Sequence, residues 1–152
     1  MADDEPITKE IFIAATPEEI FPYLIESDKY VGWMGVSAVL DARPGGVFQL
    51  DPNHHDVIYG EFVEVVPFRR VVFTWGWKEP NHPMPAGSSR VEIDLVPQGN
   101  GTVLRLQHYG VAPPLRERHN HGWTHYLCRL QTLMADADPG PDPYASPNWR
   151  HA

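Results

Sequence analysis

Cysteine occurs once, as Cys128, so no disulfide can close within the chain and the fold must be held by packing alone. Basic residues are also scarce. Twelve Lys and Arg stand against 20 Asp and Glu, a formal net charge of -8 with a pI near 5.4. Nucleic-acid binders cluster Lys and Arg on one face, so nucleic acid is not an expected partner. No run of about 18 apolar residues occurs, which excludes a helical membrane span. The start, Met1-Ala2-Asp3-Asp4-Glu5, has neither the basic stretch nor the apolar run of a secretory signal, and a reducing cytoplasm is the expected compartment. What is present is 42% hydrophobic residues over 152 positions. That suffices for one domain burying roughly 70% of the surface its unfolded chain would expose.

Residues 6–14 carry Ile7, Ile11, Phe12 and Ile13 and read as a strand with a buried second half. Thr16-Pro17-Glu18-Glu19 is a helix start: Thr16 caps, Pro17 suits the first turn, and Glu19 returns a bond to the cap's own amide. The helix runs on through about Ile25, and a second short one is expected over residues 28–34. Six strands then follow, over residues 37–42, 46–51, 56–66, 70–78, 89–96 and 102–109, separated by turn-forming Gly, Pro, Asn and Asp. Short turns between consecutive strands favour an antiparallel meander. Trp123, Tyr126, Leu127, Leu130, Leu133 and Met134 recur at helical spacing, giving a long amphipathic helix from Pro113 to about Ala135. Beyond it, Pro139, Pro141, Pro143 and Pro147 break any ladder or helix, so residues 137–152 are expected to be a tail, as are residues 1–5, with one domain over 6–136. Tyr144 and Trp149 are the tail residues with apolar surface to dock.

Alternation assigns the faces. Val91, Ile93 and Leu95 are expected to point inward between charged neighbours, as are Leu104, Leu106 and His108 on the last strand and Val71, Phe73, Trp75 and Trp77 on the fourth of the six.

The order of elements, with Thr16-Pro17-Glu18-Glu19-Ile20-Phe21, Trp33, Pro44-Gly45-Gly46-Val47-Phe48, Gly60-Glu61-Phe62-Val63-Glu64-Val65 and Gly122-Trp123-Thr124-His125-Tyr126-Leu127, resembles the activator of heat-shock protein 90 ATPase homologue-like group of the START-like (SRPBCC) superfamily. So do Arg70-Val71-Val72-Phe73-Thr74-Trp75 and Thr102-Val103-Leu104-Arg105-Leu106-Gln107-His108. The resemblance spans about residues 7 to 135. It implies an α+β helix-grip fold: an antiparallel curved sheet of about seven strands wrapped around a long C-terminal helix, with two short helices after the first strand. It also implies a cavity between sheet and helix for a small apolar molecule. Some relatives in the superfamily are polyketide cyclases, which makes a cyclase or dehydratase an alternative. The eukaryotic activator binds a chaperone through a further N-terminal domain that this sequence does not show, so chaperone association is the lesser alternative.

Within that frame Trp33, Phe48, Tyr59, Phe73, Trp75, Trp77 and Trp123 are read either as rings lining a pocket or as ordinary core. Gly122 is expected to let the last helix approach the sheet closely. His108, the polar member of an inward set, is the candidate ligand contact or general acid and base, or else a buried histidine bonded to a neighbouring group. Tyr59, placed by parity with Val63 and Val65, offers a hydroxyl. Met84, in the long loop 79–88, and His119 complete the candidate ligand-binding set. His121 and His125 share a helix face, but two ligands do not close a zinc site, and His54-His55 has no fixed relation to them, so no metal and no cofactor are expected. Cys128 lacks a neighbouring triad pattern and reads as a small core residue. Partners on this reading are a small apolar or aromatic molecule and, in an assembly, a second copy in a homodimer.

Overall fold

The structure, a computed structural model, describes residues 5–53, 56–140 and 142. His54, His55, Tyr144 and Trp149 lie outside the described residues. Strand β1 (Ile7–Ile13) leads into three one-turn helices, α1 (Pro17–Ile20), α2 (Pro22–Ile25) and α3 (Ser27–Tyr30). A meander follows: β2 (Ser37–Leu40), β3 (Val47–Asp51), β4 (Ile58–Val66), β5 (Arg70–Trp75), β6 (Ser89–Gln98) and β7 (Gly101–Tyr109). A 3-10 turn at Pro113–Leu115 then opens α4 (Arg116–Met134). The strands form one curved antiparallel sheet in the order β1-β7-β6-β5-β4-β3-β2, with β1 returning to pair with β7 in the register Ile7↔His108 to Ile13↔Thr102.

The expected capping box is present: Thr16 Oγ1 accepts from the Glu19 amide at 3.1 Å, and Glu19 Oε1 accepts from the Thr16 amide at 3.0 Å. The single helix expected through Ile25 is two, because Pro22 has no N–H to continue the ladder and restarts it as the first residue of α2. Trp77 lies beyond the end of β5, in isolated bridges to Ile58 and Pro85.

Inward parity holds on three strands. Val91, Ile93 and Leu95, then Leu104, Leu106 and His108, then Val71, Phe73 and Trp75 are all buried. The expectations for β1 and β4 differ from the structure: β1 alternates with Ile7 and Ile13 buried, so its second half is not buried throughout. Phe12 is 46% exposed, its ring lying on Gly101 of the next strand, where a Cβ would collide with it. On β4 the buried set is Ile58, Gly60 and Phe62, so Tyr59 shares the outer face with Val63, 47% exposed. A register shift between Phe62 and Glu64 interrupts the alternation just where Val65 comes next. Gly60 is required by close approach, because a Cβ there would sit 2.0 Å from the Thr74 carbonyl oxygen.

Beneath the sheet, Phe48 and Phe73 stack at 4.1 Å and 10°. Tyr30 and Phe62 meet Phe48 edge-on, and Trp33 packs on Tyr30 at 4.8 Å. Trp123, Leu127 and Leu130 of α4 close this core from the other side. The segment after α4 runs back along it: Arg129 donates to the carbonyls of Trp33 (3.2 Å) and Gly140 (3.0 Å), and His125 pairs with Asp142 at 2.8 Å. The start of the expected tail is therefore held against the helix.

Candidate functional site

A cavity of about 490 Å³ lies between the β4–β5 end of the sheet and the first half of α4. From α4 and the turn before it come Leu115, Arg118, His119, Gly122, Trp123 and Tyr126. These positions are spaced three and four apart, so they form a single stripe along the helix, and His121 joins them at its margin. The sheet supplies Ile58, Trp75 and Trp77, the turn before β4 supplies Pro52 and Asp56, and Met34 and the loop residue His82 complete the wall. The interior is dominated by large rings, with basic and imidazole groups among the residues around it.

Trp75 joins this cavity to the core. Its ring meets Phe48 and Phe73 on one side and Trp77, His108 and Trp123 on the other, with Trp123 at 5.3 Å. Its indole Nε1–H is buried and has no hydrogen-bond acceptor among the described residues. Trp77 is sandwiched differently, stacked on His82 at 4.6 Å and 18° and meeting His119 edge-on at 5.3 Å. The His82 ring is fixed by the Met84 amide, which donates to Nδ1 at 2.9 Å.

His108 is fully buried behind the cavity wall in a chain whose directions can be assigned. The Trp123 indole can only donate, so His108 Nδ1 accepts from it at 3.0 Å and the ring proton sits on Nε2. Nε2 then donates to Ser89 Oγ at 2.9 Å, and Ser89 donates onward to the Trp75 carbonyl at 2.7 Å. Desolvation, with the charges of His119 and Arg116 adding to it, holds the imidazole pKa well below its ordinary value, so the ring is neutral. Both nitrogens are committed, and the chain pins α4 to β6 and β7.

His119 differs. Its Nδ1 lies 3.0 Å from the Leu115 carbonyl, which can only accept, so Nδ1 carries the proton and the lone pair of the neutral ring is on Nε2. Burial lowers its pKa as well, partly opposed by that carbonyl.

Of the residues singled out from sequence, Trp75, Trp77, His119 and Trp123 line the cavity. Trp33, Phe48 and Phe73 are in the ring cluster of the core, and Met84 is buried without lining the cavity. Tyr59 is on the opposite face of the sheet, with Lys78 Nζ 4.7 Å from its ring centre. The loop does reach the cavity, but through His82. Gly122 serves space and not contact: a Cβ there would meet nothing within 4 Å. His121 lines the cavity while His125 is engaged by Asp142, so the i, i+4 pair serves two different places. Among the described residues no group of three or more His, Cys, Asp or Glu is placed to hold a metal, and no helix is long and apolar enough to cross a membrane. Sequence reading missed Met34, Ile58, Leu115, Arg118 and Tyr126; the helix stripe through Trp123 was the signal that reaches the last three.

Comparison with known proteins agrees with this architecture. A solution structure of an AHSA1-like protein from Rhizobium etli is 39% identical, covering 91% of this chain and 87% of its own, with a TM-score of 0.72. A crystal structure of a Mesorhizobium loti protein is 22% identical, covering 88% and 98%, with a TM-score of 0.77, which speaks to the fold alone. The human activator of 90 kDa heat shock protein ATPase homolog 1 is 26% identical over 119 residues, 78% of this chain but 33% of its own length, so the chain spans about a third of that relative. Residues 14–135 match the family described as activator of Hsp90 ATPase homolog 1-like protein. The chain belongs to that family.

Proposed function

We propose that this protein binds a small apolar or aromatic molecule in the cavity between sheet and α4. The observation that carries this reading is the cavity itself: about 490 Å³ remains open beneath the helix although the neighbouring rings are closely packed. Ligand pockets span roughly 300–1,000 Å³ and are walled chiefly by apolar and aromatic side chains with a few polar groups. Burial of the guest's apolar surface supplies affinity, and Trp75, Trp77 and Trp123 supply flat faces for it. A ligand that binds only the folded state raises the melting temperature, by mass action. Thermal unfolding with a panel of fatty acids and fused-ring aromatics, read alongside quenching of the tryptophan fluorescence, tests this. Saturable stabilisation by at least one class is expected. Silence across the whole panel would remove the proposal.

Family membership favours a second reading, in which the chain acts on a chaperone of the Hsp90 class. Its check is ATP hydrolysis by an Hsp90 with and without the chain, where an unchanged rate counts against it. The enzyme alternative gains nothing from His108, whose two ring nitrogens are occupied by Trp123 and Ser89.

A further inference from the structure

The lining of the cavity inverts the charge balance of the chain. The sequence holds 20 Asp and Glu against 12 Lys and Arg. Around the cavity a single carboxylate, Asp56, stands against Arg118 and the imidazoles of His82, His119 and His121. His119 has the best-defined chemistry of these. Its Nδ1 proton is committed to the Leu115 carbonyl at 3.0 Å, so the neutral ring carries its lone pair on Nε2. Among the described residues Nε2 has no hydrogen-bond partner, and it is not one of the unpartnered polar atoms that packing seals off, so it keeps surface open to the cavity that His119 lines. The ring is held edge-on between Trp77 at 5.3 Å and His108 at 5.4 Å. Burial holds its pKa down, opposed by the Leu115 carbonyl and reinforced by Arg118 on its own helix and His82 on the loop. His108, facing it from β7, is itself neutral, with Arg116 adding to the effect of burial there.

Resting on the ligand-binding reading above, we propose that the guest is an apolar or aromatic carboxylic acid whose carboxylate is held at His119 Nε2, within the positive field of Arg118 and His82. Met34, Ile58, Trp75, Trp77 and Trp123 receive its apolar body. Cationic neighbours and burial suppress the imidazolium, and an incoming anion restores it. The acid arrives ionised, Nε2 takes one proton from solvent, and the new N–H donates to a carboxylate oxygen in a charge-assisted hydrogen bond. No bond of the guest is broken. Binding is thereby linked to proton uptake, so affinity for the acid falls as pH rises through neutrality. A neutral amide of the same shape gains nothing from the positive field, and a bare hydrocarbon offers Nε2 no partner.

Three ligands of one ring system separate the terms: naphthalene, 2-naphthamide and 2-naphthoate, each titrated calorimetrically at pH 7 into the wild type and His119→Phe. Titrations in PIPES and in Tris, whose ionisation enthalpies differ, count the protons taken up. In the wild type 2-naphthoate should bind at least about fivefold tighter than 2-naphthamide, with uptake approaching about one proton per ligand. The two neutral compounds should bind without uptake. His119→Phe keeps a ring against Trp77 and His108 and removes Nε2, so the preference for 2-naphthoate and its proton uptake should both be lost while naphthalene still binds. Wild-type affinity for 2-naphthoate no greater than for 2-naphthamide would overturn the carboxylate specificity and leave the apolar cavity standing, and this comparison needs no variant to fold. Tight binding of 2-naphthoate without proton uptake, or uptake that persists in His119→Phe, would overturn the role of His119. Failure of all three compounds to bind the wild type would overturn both the specificity and the ligand-binding reading.

Discussion

At the scale of single residues, the informative side chain is His108. Its inward direction was legible from the alternation Leu104, Leu106, His108, but its role was not. Ser89 and Trp123, which occupy its two nitrogens, lie 19 and 15 residues away in sequence on other elements. Only the closed sheet and the docked helix bring them together. The arrangement has a consequence for stability. Burial lowers the pKa of both His108 and His119, whereas in the unfolded chain each titrates near 6.5. Below that pH the unfolded chain binds more protons than the native one, so stability should be complete above about pH 6.5 and lost progressively as pH falls through the interval down to the depressed native values. Urea midpoints should therefore drop between pH 7 and pH 5. His108→Gln should lower the midpoint at pH 7 by breaking the chain, and should flatten its dependence on pH. A slope unchanged in that variant would show that other groups set it.

At the scale of elements, α4 carries most of the site and explains where sequence reasoning stopped. Periodicity gave the helix and its apolar stripe, and Trp123 and Tyr126 were visible on it. Periodicity cannot tell whether a small residue on that stripe marks a tight contact or a gap. Gly122 is the gap. A helical glycine costs roughly 0.5–1 kcal/mol relative to alanine, and here no neighbouring atom requires it. Gly122→Ala should thus stabilise the protein by about 1 kcal/mol in denaturant unfolding, and Gly122→Leu should fill the cavity and abolish ligand binding without unfolding the chain. On β4 the reading failed for a related reason. Tyr59 and Val63 look like inward residues by their chemistry, yet Ile58, Gly60 and Phe62 hold the buried parity, and the register shift after Phe62 hides this from a count by twos. The return segment after α4 was legible only as a proline-rich stretch, because no sequence pattern marks its anchors, the Gly140 carbonyl and the Asp142 carboxylate. Arg129→Ala removes the donors to Trp33 and Gly140 and should cost about 1–2 kcal/mol of stability, measurable by chemical denaturation.

For the whole molecule, seven antiparallel strands and one long helix enclose two regions of different character. On one side Phe48, Phe73, Phe62, Tyr30 and Trp33 are packed ring against ring. On the other, Trp75, Trp77 and Trp123 stand around open space. Sequence singled out Trp33, Phe48, Phe73, Trp75, Trp77 and Trp123 without separating the two groups, since filled and empty volume depend on how far the helix stands off the sheet; Tyr30 was not singled out, and the parity read for β4 put Phe62 outward. That stand-off is a property of the assembled fold, and the proposed binding of a guest depends on it. Calorimetric titration of naphthalene into the wild type and Gly122→Leu tests it most directly. Saturable one-to-one binding to the wild type that disappears in the variant, both proteins remaining folded by circular dichroism, is the expected result. Identical heats from the two proteins, whether both bind or neither does, would contradict the claim that the space beneath α4 holds a guest.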